Sequence, residues 1–293
     1  MGIKFSEVTH TFKNPDGKTR FIAMENINLD INDDSEFLMV CGHTGSGKST
    51  LIQHMNALLF PTSGKLDIFD RVIKPKRNRK LNEIRKQVGL VFQFPEYQLF
   101  DETVLKDVMF GPINFGLKKE EAKEKAIKAL QMVGFEESLY DQSPFRLSGG
   151  QMKKASIAGI LALEPKIIVL DEPTRGLDPQ SSAEVMELFD KIHKEYNKTI
   201  IVITHDMDIV SKYAKRVVVL NEGKIVYDGS KEALFTNKDF DSFHLDYPSS
   251  MKLAKKIKDE MNLDINTNVF TLEELMDEFI SSFIFFASFI LEG

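Results

Sequence analysis

The segment Gly42-His43-Thr44-Gly45-Ser46-Gly47-Lys48-Ser49, followed by Thr50, matches the spacing GxxxxGK[ST]. Glycines at these positions let successive backbone N–H groups turn toward one anion. A helix starting at the lysine adds the positive end of its dipole. Lys48 would then reach the β- and γ-phosphates of a nucleotide, and the Ser49 hydroxyl would ligate Mg²⁺. Both flanks suit such a loop. Phe37-Leu38-Met39-Val40-Cys41 is a short apolar run of the buried-strand type, and Leu51, Ile52, Met55, Leu58 and Leu59 recur at helical spacing. The pattern predicts a strand, a phosphate-cradling turn and a helix from Ser49 to Leu59.

Further along, Lys166-Ile167-Ile168-Val169-Leu170 reads as a parallel strand covered on both faces, and it ends in Asp171-Glu172-Pro173. Acids at the C-terminal end of such a strand lie at the crevice where α/β sheets bind ligands. Beside a phosphate loop they suit a magnesium ligand and a water-activating base. Of the six histidines, His205 alone stands between a buried strand and a helix start. His43 is a variable position of the phosphate loop; His10, His54, His193 and His244 read as surface or packing residues. Leu147-Ser148-Gly149-Gly150-Gln151 opens a helix that runs through Leu163, with Ser148 and Gln151 as a capping box. Two adjacent glycines weaken a first turn by about 1 kcal/mol each. A cap has no need of them, whereas close approach of backbone N–H groups to a phosphate does. Asp178-Pro179 starts another helix, and capping accounts for Asp178 unless a partner lies nearby.

The rest of the chain must position these groups. Its 293 residues allow one large domain plus an appendage, and the net charge of -6 argues against a general nucleic-acid binder. A single cysteine, Cys41, excludes an internal disulfide framework and suits a reducing cytosol. The Met1 end lacks a signal pattern, and no apolar run reaches the roughly 18 residues of a spanning helix. Any work at a membrane is therefore expected from its side.

Residues 3–12 and 21–31 alternate around the turn Asn14-Pro15-Asp16-Gly17, predicting an antiparallel pair. Phe12 before the turn is either sheet packing or a face for an adenine ring. Pro61 to Gly64 turns into a strand from Lys65 to Phe69. The basic run Lys74 to Lys80 is a solvated loop or an attraction for anionic lipid or nucleic acid. Val88 to Phe92 is a strand ending in Gln93, after which Phe94 to Phe100 leaves regular structure. Helices from Thr103 to Phe110 and from Lys119 to Val133, stopped by Gly134, make residues 95–162 a helix-rich insertion. Thr199 to Ile203 and Arg216 to Leu220 are buried strands, and Asn221 to Lys224 closes a hairpin into Ile225 to Asp228. From residue 237 the texture changes to two short amphipathic helices. Ser249 or Ser250 caps the first, and Thr271 with Glu274, stapled by Phe270 and Leu275, caps the second. They form an interaction appendage or pack back on the parent domain. The apolar end Phe283 to Leu291 is open between a membrane-surface contact, an interface strand and a cloning scar.

Together these motifs resemble the nucleotide-binding subunit of an ATP-binding cassette (ABC) transporter, over residues 1 to about 235. Gly42 to Ser49 matches Walker A, Gln93 the Q-loop, and Leu147 to Gln151 the LSGGQ signature. Ile167 to Asp171 with Glu172 matches Walker B and its acid, Gly176-Leu177-Asp178 the D-loop, and His205 the switch histidine. The resemblance implies an α/β P-loop NTPase (RecA-like) core with an N-terminal antiparallel β subdomain and an inserted α-helical signature subdomain. Those occupy residues 1–236, and a C-terminal helical extension at 237–293 is expected to serve dimerisation. Two subunits would pair head to tail, each ATP lying between one phosphate loop and the partner's Ser148, Gly149, Gly150 and Gln151. By the same resemblance Thr50 assists at the phosphates, while Ser49, Gln93 and Asp171 attend Mg²⁺. Glu172 polarises the attacking water, and His205 and Gln93 sense the γ-phosphate.

Phe92 to Phe100 is similar to the Q-loop region of the energy-coupling factor (ECF) group, which imports vitamins or transition-metal ions. Gly150-Gln151-Met152-Lys153-Lys154 with Asp171-Glu172-Pro173-Thr174 looks more like its second (A-prime) ATPase. That resemblance implies a paralogous ATPase partner, a membrane T component and an S component, all met from the cytoplasmic face. Glu96, Asp101 or Glu102 would receive arginines of the T component. Arg175 stands where a small residue is commoner, and Lys153-Lys154 where arginine often occurs; neither is expected to take part in catalysis. The alternatives are another ABC importer, a soluble ABC ATPase, or a non-hydrolysing switch, against which Glu172 and His205 argue.

Overall fold

Alternating apolar residues make strands of Ile3–Lys13 (β1) and Arg20–Ile31 (β2), but neither alternates throughout. Glu7 and Asn26 take left-handed backbone, φ 52° and 51°, and shift the pairing register so that Phe5 and Val8 both face inward. Side chains satisfy the displaced N–H groups: Glu7 N donates to Asn28 Oδ1 and Asn26 N to Thr9 Oγ1, each at 3.0 Å.

The computed structural model describes residues 2–292 except 15–16, 76–80 and 262, and along 283–292 only the backbone. After β2 come Phe37–Cys41 (β3), Lys48–Met55 (α1), Ser63–Ile68 (β4), Arg71–Ile73 (β5), Asn82–Gln87 (α2) and Val88–Val91 (β6). Three helices follow, Val104–Asn114 (α3), Lys119–Met132 (α4) and Gly149–Leu161 (α5). The chain returns through Ile167–Asp171 (β7), Pro179–Tyr196 (α6), Thr199–Ile203 (β8), Met207–Tyr213 (α7), Arg216–Asn221 (β9) and Lys224–Gly229 (β10). Lys231–Phe235 (α8), Ser249–Met261 (α9) and Leu272–Glu292 (α10) complete it.

Two sheets result. One is antiparallel with four strands in the order β2-β1-β4-β5; the other has six in the order β10-β9-β3-β8-β7-β6, parallel except for the hairpin strand β10. The parallel strands read as unbroken apolar runs because both faces are covered. On β7, Ile167 and Val169 pack with the antiparallel sheet and α1, whereas Ile168 and Leu170 pack with α3 to α6. The expected α/β core, β subdomain and helical insertion are therefore all present.

Some boundaries differ. The first helix ends at Met55 rather than Leu59, because Ala57 turns left-handed (φ 52°) and Asn56 Nδ2 donates to the Val88 carbonyl, drawing the chain to β6. The tail packs back at its start: Ser249 donates through N and Oγ to Asp208 at 2.6 and 2.7 Å, and Met251 joins the main core. Its second helix is not short. With Thr271 Oγ1 accepting from Glu274 N at 3.1 Å, α10 runs 21 residues through the apolar end, which is helix and not strand. The reciprocal arm of that cap reaches Phe270 N at 2.6 Å. Leu272, Met276 and Ile280 leave an exposed apolar stripe on α10. Among the described residues no helix is long and apolar enough to cross a membrane. Most of the basic run after Lys74 lies outside the described residues.

Candidate functional site

The phosphate loop leaves β3 at the buried Cys41 and enters α1 at Lys48 through Gly47, whose φ of 104° favours glycine. Its seat is tight. A Cβ on Gly47 would meet the Ala23 carbonyl oxygen at 2.6 Å, and one on Gly42 would meet that of Leu220 at 2.2 Å. Gly223 N donates to Ser46 O at 3.0 Å, and His43 Nε2 lies 3.0 Å from Asn221 Oδ1, so the β9–β10 hairpin buttresses the loop. Gly45 faces open space instead, leaving one side for a ligand. Lys48 Nζ donates to the carbonyls of Gly42 and His43 at 2.6 and 2.9 Å, which hold the ammonium over the loop. Burial pushes its pKa down, against the attraction of Glu172 and Asp171.

Thr44, Lys48, Ser49 and Thr50 line a cleft of about 310 Å³ with Gln93, Asp171, Glu172 and Ile203. Its rim carries Phe12 and Phe21, paired across β1 and β2 and 40% and 54% exposed. Phe12, undecided between sheet and ligand, therefore faces the site; Phe21 was missed, because only pairing register brings it there. Glu172 adopts a left-handed φ of 50°, an uncommon conformation for a glutamate, and its N–H donates to the Ile203 carbonyl at 3.0 Å. His205 Nδ1 lies 2.9 and 2.8 Å from the two Glu172 carboxylate oxygens. Burial first, then the Glu172 charge, push the Asp171 carboxyl above its ordinary value, with Lys48 opposing.

Gln93 and Arg175 meet across this cleft. With its carbonyl turned toward the guanidinium, Gln93 Oε1 accepts from Arg175 Nε at 3.0 Å and Nη1 at 3.2 Å. Arg175, expected to take no part in catalysis, lines the same cleft. The sequence marked it only by its place three residues after Glu172, where a small residue is commoner; the reach to Gln93 needs the fold. Lys153 is likewise not idle: buried on α5, it donates to the Pro173 carbonyl.

The signature residues lie elsewhere. Ser148 Oγ accepts from Gln151 N at 3.3 Å and Gln151 Oε1 from Ser148 N at 2.9 Å, so the capping box forms. Gly149 and Gly150 are exposed, and a Cβ on either would meet nothing within 4 Å. They border a different groove, with Glu96, Leu177 and Ser181. Asp178 caps α6, accepting from Ser181 N at 3.0 Å and Ser181 Oγ at 2.6 Å, outside the phosphate cleft.

The cleft's donors suit Mg²⁺. They are hard oxygens of a carboxylate, a hydroxyl and an amide, and Mg²⁺ is commonly held by one or two carboxylates plus substrate phosphates. Among the described residues no three or more His, Cys, Asp or Glu form a metal cage.

Comparison with known proteins decides the family: residues 24–175 match the family described as ABC transporter. This chain is an ABC transporter ATPase. It is 45% identical over 283 residues to the energy-coupling factor transporter ATP-binding protein EcfA2 of Bacillus cereus (strain ATCC 10987 / NRS 248), covering 96% of each chain. The EcfA2 of Bacillus subtilis (strain 168) is 46% identical over 265 residues, 89% of this chain and 96% of that one. Among solved structures, cbiO1 from Clostridium perfringens, part of the ABC transporter complex cbiONQ, superposes with a TM-score of 0.72 at 35% identity, over 89% of this chain and 95% of that. The ADP- and Pi-bound dimer of the cassette MJ0796 gives 0.68 at 32% identity, over 78% and 98%. This ABC ATPase thus has the fold expected of it and belongs with the ATP-binding proteins of energy-coupling factor transporters.

Proposed function

We propose that the protein works as one half of an ATPase dimer beneath a vitamin or transition-metal importer. Its partners in this reading are a second, paralogous ATPase, a membrane T component and an S component, reached from the cytoplasmic face. The observation that carries the dimer is the division of the site. The phosphate loop, Asp171 and Glu172 share one cleft, with His205 bonded to Glu172, while Gly149 and Gly150 start an exposed helix with no steric need for glycine in their own chain. A partner's nucleotide accounts for them; MJ0796 is a dimer with ADP and Pi.

Catalysis in such a site is positioning and charge neutralisation. Lys48 would exchange its loop carbonyls for phosphate oxygens. Glu172, fixed by His205, would orient and polarise the attacking water. Ser49, Asp171 and Gln93 would hold Mg²⁺, which neutralises charge on the phosphates. Phe12 would stack on the base. Beside Gln93, the exposed Phe94, Tyr97 and Phe100 offer the membrane partner an aromatic face, with Glu96, Asp101 and Glu102 as its acids.

ATP·Mg²⁺ should dimerise the Glu172→Gln protein in light scattering, alone or mixed with its paralogue, and Gly150→Asp should prevent it. Phosphate release proportional to protein at every dilution, from a species that stays monomeric, would sink the divided-site reading. Purification from membranes should bring a second ABC ATPase and a multispanning protein with this chain.

A further inference from the structure

We infer that Arg175 is a positioning residue that holds the Gln93 amide in reserve, so that ligation of Mg²⁺ by Gln93 must first displace the guanidinium. This rests on the reading that Gln93 attends the metal. The geometry is specific. With the Gln93 amide oriented so that its oxygen faces the guanidinium, two nitrogens, Nε at 3.0 Å and Nη1 at 3.2 Å, converge on the one Gln93 atom able to ligate a cation. Both residues line the phosphate cleft, so the contact forms in the cleft whose oxygens would hold the metal.

The backbone aims the side chain. Glu172 is left-handed, Arg175 N donates to the Glu172 carbonyl at 3.1 Å, and Leu177 N donates to that of Thr174 at 3.2 Å. These turns fold the chain back after β7, and Arg175 reaches across toward the end of β6. An amide oxygen shared between a guanidinium and a divalent cation brings two positive charges together, so the two contacts compete. Apparent affinity for Mg²⁺-nucleotide is then lowered by the fraction of molecules in which Gln93 is committed to Arg175. Gln93 immediately precedes the exposed aromatic segment, so whatever moves that segment also biases the exchange.

The test is binding of a fluorescent ATP analogue to the Glu172→Gln protein, with Mg²⁺ or with EDTA, which reads affinity without turnover. The quantity of interest is the gain in affinity that Mg²⁺ confers. Arg175→Ala should enlarge that gain about three- to tenfold, the range of a modest charge-assisted hydrogen bond in a solvated cleft. Binding in EDTA should stay unchanged. Arg175→Lys, which loses the paired nitrogens, should give an intermediate gain, and Gln93→Ala should abolish the effect of Arg175→Ala. An Arg175→Ala effect that persists in the Gln93→Ala background, or no effect with Gln93 present, overturns the proposal. So does weaker binding of Arg175→Ala in EDTA, which would mean that the guanidinium touches phosphate. If Gln93→Ala alone leaves the Mg²⁺ gain intact, the underlying assignment of Gln93 fails instead.

Discussion

Lys153, buried on the second turn of α5, donates its ammonium to the carbonyl oxygen of Pro173, the residue after Glu172. The helical insertion is thereby latched to the loop that carries the acid. Burial lowers the Lys153 pKa, while Glu96 pulls it back up. A carbonyl accepting from a buried cation is worth more than an ordinary hydrogen bond. Lys153→Met, which keeps the apolar stem, should cost about 2 kcal/mol of stability. Urea unfolding measures it directly, and Lys153→Arg should recover part of the loss.

Glu172 and His205 form the next pair to break. Removing a positioned acid-base group typically costs about 10²- to 10⁴-fold in rate. Glu172→Gln should lower phosphate release by that order while ATP binding persists. His205→Ala should lower it in the same direction, because the carboxylate loses the partner that aims it. Single-turnover phosphate release distinguishes loss of chemistry from loss of binding.

Phe12 stands half-exposed at the rim of the cleft, its ring edge-on to His10 at 4.6 Å. Stacking of an aromatic side chain on a base contributes about 1–3 kcal/mol. Phe12→Ala should therefore raise the KM for ATP about tenfold or more with kcat little changed, and Phe12→Tyr should restore it. An equal fall in kcat would place the ring elsewhere than on the base.

His54 gives the fold a pH dependence. It is fully buried on α1, Nδ1 donates to the Thr50 carbonyl at 2.7 Å, and its ring meets that of His10 at 4.7 Å. Burial lowers its pKa from 6.5 to about 4. The unfolded chain therefore takes up a proton at a pH where the folded chain does not. Stability should be complete above pH 6.5 and decline as pH falls from 6.5 toward 4. The loss amounts to about 3 kcal/mol at most. Denaturant midpoints at pH 7.5 and pH 5 should differ less in His54→Gln than in the parent protein.

The order of motifs was legible because local physics writes it into composition. Apolar runs mark strands that need both faces covered, glycines mark turns around an anion, and caps mark helix starts. Those signals yielded the α/β core, the inserted helices and the groups Lys48, Ser49, Asp171, Glu172 and His205. They also singled out Gly149 and Gly150, since a capped first turn has no local use for two glycines. Where local signals ended, boundaries slipped. Ala57 carries no mark of a left-handed turn, and Asn56 turns the chain only because β6 is beside it.

Contacts between groups far apart in the chain could not be seen in the same way. Arg175 and Lys153 stood out only as unusual residues within their motifs, expected to take no part in catalysis. Their partners, Gln93 and the Pro173 carbonyl, are brought within reach by the ordering of strands β6 and β7 and by the packing of α5. Phe21 faces the cleft through its pairing with Phe12, and a slip of one residue in that register would turn it away. Which chemistry the chain carries was thus decided by residue type and spacing. Which side chains restrain that chemistry was decided by tertiary structure, because hydrogen bonds depend on distances that sequence separation does not encode.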